Sequence, residues 1–219
     1  MSTREAARVG IRGLVALAAA GLGAACSDDP ALSVRDDEIC FERRDGRRIC
    51  VELYEASRPD ATSTSVGTTN GIPRSIPGRL PWEEVTWEAA RAACVEKGKR
   101  LCEADEWEDA CDGTVGNDGL TFPYGDERDV TACNVSGVGP VPTGSNERCV
   151  SPFGVFDMGG NLWEWTGNTL DAAVARGGGY PSSQTHRCTS GPDFPNRFPP
   201  AAPNVEVGFR CCRDVGASE

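Results

Sequence analysis

The stretch 153-FGVFDMGGNLWEWTGN-168 holds two acids, two adjacent glycines and an asparagine wedged between bulky rings. A core strand has no use for Asp157 and Glu164, and a solvated loop has no use for Phe153, Phe156, Trp163 and Trp165. The stretch therefore reads as a tight buried loop whose carboxylates find partners inside the protein while its tryptophans pack as core.

Working outward, 219 residues with 39% hydrophobic and 25% charged content suffice for one sizeable core, so a compact single domain with extensions is expected. Gly 26 and Pro 15 point to many loops and little regular secondary structure. Residues 1–25 open with Arg4, Arg8 and Arg12 and run into GLVALAAAGLGAAC, too short to span a bilayer and read as a secretory signal. Small residues precede Cys26 and the polar SDDP follows it, as in a bacterial lipoprotein signal whose cysteine becomes the lipid-modified terminus. Against this, Leu22 lies one position further from the cysteine than usual, which leaves an ordinary signal peptide as the rival. The expected location is the bacterial cell envelope, in the periplasm or at the surface, with a lipid anchor at Cys26. Removing residues 1–25 deletes three arginines and one glutamate, taking the formal charge from −11 to −13. That sign disfavours nucleic acid and anionic lipid surfaces as partners.

Setting Cys26 aside leaves ten of the 11 cysteines: Cys40, Cys50, Cys94, Cys102, Cys111, Cys133, Cys149, Cys188, Cys211 and Cys212. An even, dense set in an exported chain reads as a disulfide framework. Zinc is the rival, but one histidine and no paired C-x-x-C spacing argue against it. The single histidine, His186, is expected at the surface.

Residues 26–46 read as a charged tether and the start of a hairpin, in which Asp45 and Gly46 turn the chain between Cys40 and Cys50; a bridge between those cysteines would pin it. Residues 57–81 read as a long irregular loop. Two helices follow. Thr86 caps the first, with Trp87, Ala90, Ala93 and Cys94 on one face and Gly98 as the stop; the second places Trp107, Ala110 and Cys111 together and ends at Gly113. The fold class is α+β, disulfide-rich, and no internal repeat is present.

The blocks ICVELYEASRP, VTWEAARAACVEKGKRLCEADEWEDAC, FPYGD, PTGS, SPFGVFDMGGNLWEWTGN, ARGGGY and VGFRCC appear in the order found in the sulfatase-modifying-factor family, whose founding activity is that of the formylglycine-generating enzyme. The resemblance covers residues 47–214 and leaves 215–219 as a tail. It implies a compact fold related to C-type lectins. It also implies a structural calcium held by the Asp157 and Glu164 side chains and the Gly160 and Leu162 carbonyls, oxygen donors of the kind calcium takes. The alternative is that the two acids cap turns or pair with arginines. A second calcium site of the family, near Cys133, Asn134 and Val135, is not matched.

The family's oxidase binds copper(I) through two thiolates, which a soft ion requires. Here those positions fall on Ser182 and Arg187, with Cys188 one residue away, so the resemblance argues against copper and assigns no catalytic residue. It also implies pairing of Cys94 with Cys211 and of Cys111 with Cys188. Cys102 and Cys212, and Cys133 and Cys149, remain as candidate partners. Arg176, Gly177, Gly178, Gly179 and Tyr180, with Arg210 near, are expected to line the former active-site groove. The expected function is a calcium-stabilised, non-oxidase module binding a peptide, protein or glycan; the alternative is a copper-dependent oxidase converting a substrate cysteine to formylglycine.

Overall fold

The computed structural model describes residues 33–35, 37–113, 119–181, 186–189 and 198–216. Its strands are β1 (Ser33–Arg35), β2 (Glu38–Glu42), β3 (Arg48–Glu52), β4 (Arg100–Leu101), β5 (Trp163–Thr166), β6 (Val174–Arg176), β7 (Val207–Phe209) and β8 (Cys211–Asp214); its helices are α1 (Trp87–Glu96) and α2 (Ala104–Asp112). One sheet runs β1-β2-β3-β8-β4 and the other β6-β5-β7, with β5 and β7 parallel.

The β2–β3 hairpin closes as its sequence dictates. Gly46 takes a φ of 78° and donates to the Arg43 carbonyl, while Asp45 Oδ1 accepts from the Arg47 amide at 2.9 Å. Cys40 and Cys50 face each other in register and are bonded. The segment expected to be a tether departs from that reading, because Ser33–Arg35 adds to the exposed edge of β2 and satisfies backbone groups there.

Helix α1 begins at Thr86, whose Oγ1 accepts from the Ala89 amide at 3.1 Å, and it buries Trp87, Ala90, Ala93 and Cys94. Gly98, at φ 77°, donates to Val95 and ends it. Helix α2 buries Trp107, Ala110 and Cys111, but also Glu106, Asp109 and Asp112. Those acids are tolerated because arginines meet them: Arg43 Nε lies 2.7 Å from Asp109, Arg44 Nη2 2.6 Å from Asp112 and Arg100 Nη1 2.6 Å from Glu106. The arginine-rich hairpin thus docks on an acidic helix face.

Strand β8 separates two apolar clusters. Successive side chains of a strand point to opposite faces. Cys211 accordingly joins the cluster of Trp82, Trp87, Trp163, Trp165 and Phe209, where it is bonded to Cys94 of α1; Cys212 joins Phe41, Ile49, Trp107 and Met158, bonded to Cys102. Cys111 is bonded to Cys188, and Cys133 to Cys149 within a smaller cluster. All ten cysteines of the framework are therefore paired.

His186 departs from its expected surface position. It is 1% exposed, stacked on Phe122 with ring centroids 5.0 Å apart, and its Nε2 lies 3.3 Å from the Tyr124 hydroxyl. Its neighbour Cys188 draws this segment inward through the bond to Cys111.

Candidate functional site

The opening stretch forms a buried loop between the two clusters. Asp157 (φ 61°) and Asn161 (φ 59°) are two of the three non-glycine residues with positive φ among the described residues, and Gly160 stands at φ 125°. Such backbone is held only where surroundings over-determine it. A Cβ on Gly160 would lie 2.6 Å from the Asn134 carbonyl oxygen, which accepts from the Asn161 amide at 2.8 Å. The Asn161 side chain accepts from Asn134 Nδ2 at 3.0 Å and from the Val141 amide at 2.9 Å, and donates to Glu55.

Glu55 was not singled out in the sequence, yet it anchors this loop. Fully buried, it takes the Asn161 amide proton on Oε2 and the Leu162 backbone N–H on Oε1 at 3.0 Å. The flanking LYEAS offers no signal for it, since one acid in an apolar run looks like the exposed position of an alternating strand.

Glu164 takes the arginine partner that was the alternative to calcium. Arg210, 0% exposed, donates from Nε and Nη2 to its two oxygens at 2.6 Å each, and Trp107 Nε1 donates to Oε2 at 2.8 Å. The remaining Arg210 protons reach the Glu52 carbonyl at 3.0 Å and the Phe156 carbonyl at 2.8 Å. Asp157 accepts from the Gly144 amide at 2.6 Å on Oδ2, while its buried Oδ1 has no hydrogen-bond partner.

Three buried carboxylates therefore share one buried guanidinium. Burial, then the charges of Asp157 and Glu164, push the Glu55 pKa well up. Burial, with Glu164 adding to it, pushes Asp157 to about 7 against the pull of the Gly144 amide and Arg210. Glu164 in turn keeps Arg210 above its usual range although burial opposes it. Taking up a proton at Glu55 or Asp157 relieves this crowding of charge, and the unpartnered atom of the cluster, Asp157 Oδ1, is an oxygen. The orphaned Asp157 Oδ1 is a donor of the kind a hard divalent cation takes. Glu164 fits only by sharing an oxygen with Arg210. Among the described residues, the one set of three acid or thiol groups within ligand distance of one another is Glu38, Cys40 and Cys50, and its cysteines are bonded to each other.

The expected groove is set more deeply than its sequence suggests. Arg176 is 8% exposed and pairs with Glu108 at 2.7 Å. A Cβ on Gly177 would come within 2.9 Å of the Trp107 ring, and one on Gly179 within 2.9 Å of Trp163, so these glycines let the backbone pass against the core. Gly178 is buried too, and only Tyr180 of the five is partly open. Burial and the Glu206 and Glu83 charges push the Tyr180 hydroxyl pKa up. Arg210 lies in the core beneath, tied to Glu164, and does not line a wall. Of the two former copper positions, Ser182 lies outside the described residues, and Arg187 is exposed with its guanidinium 5.9 Å over Phe122. Cys188 is buried in its bond to Cys111.

Comparison with known proteins bears on the fold and the family. The chain is 31% identical over 172 residues to the inactive C-alpha-formylglycine-generating enzyme 2 of Bos taurus, covering 68% of this chain and 55% of that protein. It is 34% identical over 116 residues to a hercynine oxygenase of Mycolicibacterium smegmatis, covering 51% of this chain and 26% of that one. The structure of PvdO from Pseudomonas aeruginosa superposes with a TM-score of 0.54 at 21% identity, covering 78% of this chain and 82% of that chain, and shares the C-type-lectin-like fold. The family model described as "Sulfatase-modifying factor enzyme 1-like domain" matches residues 50–215, and this chain is a member of that family.

Proposed function

We propose that this protein is a calcium-stabilised ligand-binding module of the cell envelope that has no formylglycine-generating oxidase activity. The observation that carries this reading is the Cys111–Cys188 bond. It occupies the one thiol near the former copper positions, while Arg187 presents a cation where a copper(I) thiolate would be needed. The inactive mammalian relative is in keeping with it. The chain spans about half the length of that relative, so no partner or substrate is carried over from it.

The ligand class we infer is a peptide, protein or glycan bound near Tyr180, the open end of the buried glycine run. Calcium would be held by Asp157, the Gly160 and Leu162 carbonyls and Glu164, and would give Asp157 Oδ1 the partner it has not found among hydrogen-bond donors. The five disulfides are consistent with an extracellular or periplasmic protein. Attachment through a lipidated Cys26 is part of the proposal, as is export by residues 1–25.

The test offers the purified protein a peptide carrying C-x-P-x-R, with copper, reductant and oxygen. Mass spectrometry is expected to find the peptide cysteine unchanged. Copper-dependent conversion to an aldehyde, abolished by Cys188→Ser, would establish the alternative, an oxidase with a rearranged site.

A further inference from the structure

A cavity of about 430 Å³ opens beside α1 and Trp82, and no part of the preceding reading uses it. Its polar groups are arranged for recognition. Arg58 holds its guanidinium 4.4 Å over the Trp82 ring and donates from Nη1 to Asn70. Its Nε is buried without a hydrogen-bond partner, and among the described residues it has no carboxylate partner, whereas Arg43, Arg100, Arg176, Arg210 and Arg213 all have one. A guanidinium stacked on a ring and without a carboxylate partner, in a cleft of an acidic protein, can receive a carboxylate. Two residues beyond Trp82, Glu84 stands at φ 55°, the third strained non-glycine position of the described chain, and its side chain is on the same cavity wall. The floor is the small-residue stripe Ala89, Ala92 and Ala93, which ends at Glu96. From Ala89 to Glu96 is roughly 10 Å along a helix.

We propose that this cavity binds a free basic α-amino acid, with the carboxylate on Arg58, the α-ammonium at Glu84, the methylene chain along the alanines and the terminal cation at Glu96. The volume suits one small molecule, and Glu84 precedes and Glu96 follows the alanines along the chain, with Arg58 over Trp82 two residues before Glu84. The site is independent of the calcium and oxidase readings.

Calorimetric titration of the full protein with L-lysine tests it. Saturable binding with a Kd below about 1 mM is expected. Norleucine, which lacks the terminal ammonium, and cadaverine, which lacks the carboxylate, are each expected to bind at least about tenfold more weakly, by the loss of one charge-assisted contact. Arg58→Gln should cost lysine a similar factor. Glu96→Gln, an exposed change that leaves folding intact, should erase the preference for lysine over norleucine. No saturable lysine binding by the folded protein up to about 10 mM, or an unchanged preference in Glu96→Gln, overturns the proposal. Equal binding of Nα-acetyl-lysine and lysine overturns the role of Glu84, and with it the free amino acid as occupant in favour of a peptide's C-terminal lysine.

Discussion

At the scale of single residues, a charge behaves according to what its neighbours offer. Arg210 is the only guanidinium in the buried cluster of Glu55, Asp157 and Glu164, and it also closes two backbone carbonyls. Arg210→Met, which keeps much of the volume, is expected to destabilise the fold by about 3–5 kcal/mol, because it leaves Glu164 buried with its charge unpaired; denaturant unfolding measures it. Asp60 is the opposite case, an exposed carboxylate used as a local clamp. It accepts from the backbone amides of Thr68 and Thr69, and the first of these contributes most to holding its pKa down at about 2. A carboxyl whose folded pKa is depressed adds stability that is complete above its unfolded value of about 3.9. That contribution is lost as pH falls through about 2. The amides of Thr68 and Thr69 should therefore lose protection from exchange on acidification through that window, and Asp60→Asn should remove their pH dependence.

At the scale of elements, local signals were legible and long-range ones were not. Both helices could be read, since an apolar stripe and a glycine stop, and for the first helix the Thr86 cap, lie within about a dozen residues of one another. The hairpin turn was equally local. The β1 pairing, the order β1-β2-β3-β8-β4 and the Glu55 anchor were not, because their partners lie far along the chain: Glu55 meets Leu162 across 107 positions. Of the candidate site, the unusual character of 153–168 was visible from composition alone, whereas its partners Glu55 and Arg210 belong to tertiary packing. Helix termini give a direct test. Gly113 ends α2 at φ 69°, and an added Cβ would lie 2.4 Å from the Pro152 ring. Gly113→Ala therefore combines a left-handed strain with a clash and should lower stability by about 1–3 kcal/mol, read as a lower melting temperature. Gly98→Ala, with open space around the same φ, should cost only the strain term of about 1 kcal/mol.

For the whole molecule, covalent ties compensate for a small proportion of regular structure. Cys94–Cys211 spans 117 positions and Cys40–Cys50 only 10. On the chain-entropy argument, removing the first as a double Cys→Ala should cost about 2 kcal/mol more than removing the second. Two thermal unfolding curves decide it. The calcium reading is likewise a property of the entire fold, since the buried cluster joins β3's extension, the loop at 157–162, β5 and the turn before β8. Chelation should lower the melting temperature, with the Asp157→Ala variant insensitive to it; identical curves with and without chelator would remove calcium from the account.

The position of 207–214 in both sheets has a further consequence, for the order of events during synthesis. β7 completes one sheet against β5, β8 is inserted between β3 and β4 in the other, and Arg210 between them neutralises Glu164. Every partner of this segment precedes it in the chain. A ribosome must therefore have passed Phe209 before one sheet is complete and Asp214 before the other is. That order of events delays closure of both sheets until β7 and β8 arrive. It also places bond formation by Cys94 and Cys102, each waiting for Cys211 or Cys212, at the end of synthesis.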